Sequence, residues 1–110
     1  MTGNEYQKLA SRTIRKGATR DEMEQHALHG LVGEIGELHS IYQKFYQGHD
    51  LNYDHCFSEV SDICWFIAEY CTAFDVQLDD IFQYNIEKLR RRYPEGFDEE
   101  HSLHRAPNDI

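Results

Sequence analysis

The chain has 110 residues, with 20 acidic against 11 basic side chains and a formal net charge of −9, which excludes the basic footprint that general nucleic-acid binding requires. That length makes one domain, large enough for a core and small enough to gain stability from association. Its three cysteines, Cys56, Cys64 and Cys71, are odd in number and lack Cys-x-x-Cys spacing, so neither a disulfide framework nor a zinc ribbon is indicated, and buried, reduced thiols are expected.

The opening stretch MTGNEYQKLASR contains no apolar leader core, and the longest apolar passage, around Ile63 to Ala68, is too short to cross a bilayer. The expectation is a cytoplasmic protein without a membrane partner. Residues 4 to about 16 read as a short amphipathic helix with Tyr6, Leu9, Ala10 and Thr13 near one face, stopped by Gly17. Thr19-x-x-Glu22 has the form of a capping box and opens a long helix to about Gln47. In it Leu28, Leu31, Ile35, Leu38, Tyr42 and Phe45 recur as a core-facing stripe.

At ~100° per residue, Glu34 and Glu37 border that stripe instead of opposing it. Gly33 and Gly36 flank Glu34, and each lowers helix propensity by about 1 kcal/mol relative to Ala, as if something approached the backbone there. The stretch QGHDLNYD is the clearest loop, with Asn52 or Asp54 capping a third helix over about 55–74. Its stripe is Cys56, Val60, Ile63, Ile67, Tyr70, Cys71 and Phe74, again bordered by two acids, Glu59 and Asp62. Shifted by the separation of Glu34 from Glu59, the second and third helices superpose motif on motif, which suggests pseudo-symmetric packing about one shared site.

A fourth helix over about 77–92 ends before Pro94, with Leu78, Phe82, Ile86 and Leu89 inward and Asn85, Lys88 and Arg92 on a common flank. The polar tail from Glu95 is expected to be partly ordered. The expected organisation is an all-α domain over residues 1–94, a bundle of four main helices, followed by a tail over 95–110.

Residues three apart on a helix share a face, so Glu34-x-x-Glu37 and Glu59-x-x-Asp62 each present two acids in one direction. Four converging carboxylates repel one another unless a cation sits among them. Oxygen donors suit Mg²⁺, with Mn²⁺ as a substitute, and Mg²⁺ commonly keeps positions for water or substrate phosphates. Lys88 and Arg92 could complement a helix C-terminus or, beside the acids, bind phosphate. Among the histidines, His26, His29, His101 and His104 are expected to be exposed or hydrogen-bonded, and only His55, one turn before Glu59, is a candidate neighbour of the site.

No Glu is followed three residues on by His, which disfavours di-iron chemistry of the ferritin kind. No P-loop or Gly-x-Ser-x-Gly element occurs either. A non-catalytic helical interaction or adaptor protein is the alternative to a metal-dependent enzyme. Its acids would be solvated, and metal would not change its stability.

With EYQKLASRT, GLVGEIGEL, GHDLN, EVSDICWFIAEY and NIEKLRRRYPEGF in this order, followed by Ser102 and Arg105, the chain resembles the small single-domain MazG-like nucleoside triphosphate pyrophosphohydrolases over nearly its whole length. The resemblance implies Mg²⁺-dependent hydrolysis of a (d)NTP to (d)NMP and pyrophosphate. It implies Glu34, Glu37, Glu59 and Asp62 as metal ligands and catalytic groups, and Asn85, Lys88 and Arg92 as nucleotide contacts. It implies a homodimer or homotetramer in which neighbouring helices complete the core. Many members carry a Glu where this chain has Gly33. A Glu, in preference to Asp62, is expected to orient or deprotonate the attacking water, and Tyr6, Trp65 and Tyr84 are candidates for a base pocket.

Overall fold

The structure, a computed structural model, describes residues 1–110. It is all-helical: α1 Gly3–Ser11, α2 Arg20–Tyr46, α3 Tyr53–Ala73, α4 Leu78–Arg92 and a short α5 Glu99–Leu103. No helix is long and apolar enough to cross a membrane. The chain divides into two compact units, Met1–Leu78 and Asp79–Ile110.

In the first unit α2 and α3 form an antiparallel pair, and α1 packs on α3. The capping box opens α2 with both halves made, the Thr19 side chain accepting from the Glu22 N–H and the Glu22 side chain accepting from the Thr19 backbone. Asn52 caps α3 by accepting from the His55 N–H. Where α2 and α3 approach, the contact is made by small residues. Ala27 and Ala68 are 0 % and 1 % exposed, and a Cβ on Gly30 would clash with the edge of the Phe66 ring. Gly30 is thus the glycine that permits close approach. Gly33 and Gly36 have nothing within 4 Å of an added Cβ, because they lie on a face of α2 turned away from α3.

The first helix stops at Ser11, short of the expected 16. The Ser11 and Thr13 hydroxyls donate to the carbonyls of Lys8 and Ala10 at 2.6 and 2.7 Å, and such local bonds compete with the helical ladder. Its buried residue is Gln7, not the apolar Leu9, which is exposed. The Gln7 amide donates to Thr72 Oγ1 and the Val76 carbonyl, while its oxygen accepts from the Leu78 N–H at 2.7 Å. One side chain therefore satisfies the turn that leaves α3.

That turn is a Schellman-type cap. The Val76 N–H donates to the Cys71 carbonyl and the Asp75 N–H to the Thr72 carbonyl, with Asp75 at φ +56°.

The expected stripes are only partly covered. Leu28, Ile35, Tyr42 and Phe45 of α2 are exposed, as are Val60, Ile67 and Tyr70 of α3, whereas Cys56 and Cys71 are buried. Cys64 is exposed too, since two neighbouring helices leave part of the circumference of α3 open. Phe82, Ile86 and Leu89 of α4 are likewise exposed, although the pattern read them as inward.

Within the second unit, α4 is followed by the turn at Pro94–Gly96 and by α5, whose N-cap Asp98 accepts from the His101 N–H. Arg92 Nε donates to Asp109 at 2.7 Å with both side chains largely covered, and Tyr93 stacks near Phe97. These contacts join α4 to the residues that follow it.

Candidate metal centre

Three of the four acids meet. One carboxylate oxygen each from Glu34, Glu59 and Asp62 lies within 4.8 Å of the others. The antiparallel register of α2 and α3 explains it, since Glu34 of one helix comes opposite the Glu59-x-x-Asp62 turn of the other. Glu34 and Glu59 are half-buried and Asp62 is exposed. The chain places one imidazole at the cluster, His55 Nε2, 3.2 Å from Glu59.

Crowding of like charges shows in Glu34. Its carboxyl is pushed up from 4.5 to about 7, first by a hydrogen bond with Glu59, then by desolvation and by the charges of Glu59, Asp62 and Glu37. Tyr6 is raised as well, chiefly by burial and then by Cys64 and Asp62, which sets its phenol near the acids. Glu37 does not join the three. One turn on and about 60° round the helix, it remains exposed and acts on Glu34 through its charge alone. Of the four carboxylates expected to converge, the structure brings three together and leaves Glu37 beside them.

Oxygen-only donors at this spacing suit a hard cation such as Mg²⁺ or Mn²⁺ better than a soft one. Asn85, Lys88 and Arg92 stand on α4 in the second unit. There the Lys88 ammonium lies 5.7 Å from the centre of the Tyr84 ring. The guanidinium of Arg92 is raised by its bond to Asp109, whose carboxyl is lowered by the same bond.

A second polar contact lies further along the same pair of helices. Glu69, 3 % exposed, receives His26 Nδ1 on both carboxylate oxygens, at 2.8 and 3.0 Å. The His26 ring stands edge-on to Trp65 and tilted against Phe66. Trp65 Nε1 donates to Thr13 Oγ1 at 2.7 Å. The separation of 43 residues hides this pair from any local motif. Register would have exposed it, because moving back eight residues from Glu34 to His26 moves forward along α3 from the acidic turn to Glu69.

The chain is 33 % identical over 72 residues to the "Gene 37 protein" of Mycobacterium phage L5, a match covering 61 % of this chain and 63 % of that protein. No family model matches the chain. No solved structure matches it.

Proposed function

We propose that the protein is a Mg²⁺-dependent nucleoside triphosphate pyrophosphohydrolase of the MazG-like kind, cleaving a (d)NTP between the α and β phosphates to (d)NMP and pyrophosphate. The observation that carries this reading is the meeting of Glu34, Glu59 and Asp62 within 4.8 Å, a concentration of negative charge at which the helix pair places one imidazole, His55. In a merely solvated cluster, helical acids would diverge into water, where repulsion is smallest.

Glu34, Glu59 and Asp62 would hold the cation, with Glu37 at the margin. A bound divalent cation supplies Lewis-acid polarisation of phosphate oxygens and acidifies a water. A Glu of this group orients that water for in-line attack. Asn85, Lys88 and Arg92 are assigned to the nucleotide and its phosphates, where the cationic pair takes up charge on the departing pyrophosphate. The exposed apolar residues of α2 and α3, and separately those of α4, support assembly into a homodimer or homotetramer, since exposed apolar surface of this kind favours protein interfaces.

The test is a panel of nucleoside triphosphates with Mg²⁺, scored for monophosphate and pyrophosphate, for the natural protein and Glu59→Gln. The expected result is Mg²⁺-dependent release of both products from at least one nucleotide and its loss in the variant. Turnover unaffected by the substitution would overturn the site, and release of orthophosphate alone would overturn the bond assignment. A helical adaptor would hydrolyse none of the panel.

A further inference from the structure

The His26–Glu69 pair opens onto a cleft of about 700 Å³, walled by Thr13, Ile14, Met23, His26, Trp65 and Glu69 among others. Burying a carboxylate against an imidazole contributes little net stability compared with an apolar pair of the same volume. Its consequence is positional. With Nδ1 turned to Glu69, the tautomer and tilt of His26 are fixed, and Nε2 is the nitrogen left to meet a ligand. The His26 side chain is 61 % exposed, so that atom can be reached.

The neighbouring wall is equally constrained. The Trp65 indole is held at its N–H edge by its bond to Thr13, and Thr13 is itself tied to the Ala10 carbonyl. A rigid aromatic surface beside one oriented polar atom, in a mostly apolar cleft, is the arrangement of a small-molecule site. The charges decide which end of a ligand enters. Asp21, Glu22 and Glu69 face Arg15 and His26 there, and Arg15 is already paired with Glu22. The balance repels phosphate and suits an uncharged planar ring.

Asp62 and Glu69 lie seven residues apart, two turns along one face of α3, about 10 Å by helical rise. His26 stands about 12 Å along α2 from Glu34. That spacing is within the length of an extended nucleoside triphosphate. Resting on the reading of the acids as the phosphate end, we infer that this cleft is the nucleobase subsite. The base lies against Trp65 and offers a ring or amino N–H to His26 Nε2, and Glu69 is the positioning residue behind it.

Trp65 is the single tryptophan of the chain, so its fluorescence reports the cleft directly. The full chain is titrated without metal with the four deoxynucleoside monophosphates and, separately, with inorganic pyrophosphate, correcting for ligand absorption. At least one base is expected to change the emission saturably, and pyrophosphate is not. His26→Ala weakens that binding about tenfold, and adding Glu69→Gln weakens it little further, because both act through one imidazole.

Absence of any base-dependent change, or equal affinity in His26→Ala, would overturn the subsite. If base binding depends on His26 while no triphosphate is hydrolysed, the hydrolase reading fails and the subsite stands. If triphosphates are hydrolysed with an unchanged KM in His26→Ala, the reverse holds.

Discussion

Two places on the same helix pair handle carboxylates in opposite ways. At one, α3 offers Glu69 and α2 answers with His26, so a nearly inaccessible acid has its partner within the chain. At the other, α3 offers Glu59 and Asp62 and α2 answers with a further acid, Glu34. Between them Gly30 lets Phe66 in and sets the helix separation. The first acid has its hydrogen-bond donor within the chain. At the second place, a proton held by Glu34 in its hydrogen bond with Glu59 offsets the repulsion in the chain alone, and under the proposed function a cation would take that place.

The largest effects should separate the acids from one another. Glu34→Gln and Glu59→Gln are each expected to lower turnover by roughly 10³-fold, whereas Glu37→Gln, outside the three, should retain most of it. Steady-state rates on one responsive nucleotide check this, and equal losses for Glu37 and Glu34 would restore a four-carboxylate site.

The glycines come next. Gly30→Ala forces the Phe66 ring to move and should destabilise the chain by about 1–3 kcal/mol. Gly33→Ala and Gly36→Ala meet no atom and should each stabilise α2 by about 1 kcal/mol. Denaturant melts distinguish them by sign.

The sequence carried the helices further than it carried the contacts. The Thr19–Glu22 capping box and the Asn52 cap made the starts of α2 and α3 legible, because those signals act over three residues. The two acidic motifs were legible for the same reason, and their neighbourhood on α2 and α3 was suggested by the repeated pattern. Exclusion of Glu37 was not legible, because it depends on which face of α2 meets α3. The assignment of close approach to Gly33 and Gly36, where Gly30 serves, failed on the same point. The stripes of α2, α3 and α4 marked apolar faces correctly, but periodicity cannot tell a face buried within the chain from one left open. Gln7, a polar residue at the base of the α3–α4 turn, carries no sequence signal at all.

A pH experiment sharpens the contrast between the two carboxylate sites. In the metal-free protein Glu34 is raised from 4.5 to about 7, so the folded state holds that proton more tightly than the unfolded one. Its contribution to stability is fully present below about pH 4.5 and is lost as pH rises through about 7. Melting temperatures of the natural chain should therefore fall relative to Glu34→Gln between about pH 5 and about pH 8. Saturating Mg²⁺ should remove that fall. A parallel pH response in the two proteins would contradict the crowding of the acids.

The smallest effect lies away from both sites. Asp75 occupies the left-handed position of the α3 cap at φ +56°, where glycine carries no Cβ penalty. Asp75→Gly should raise stability by about 0.5–1 kcal/mol and leave any turnover unchanged, as thermal melts beside the nucleotide assay would register.

The most direct measurement is a titration of the metal-free chain with Mn²⁺, followed by the loss of free-ion signal in electron paramagnetic resonance. Saturable binding is predicted for the natural protein, weakened at least about tenfold in Glu59→Gln and little changed in Glu37→Gln. A chain that takes up no Mn²⁺, or takes it up as well without Glu59, would contradict a cation-holding site at Glu34, Glu59 and Asp62.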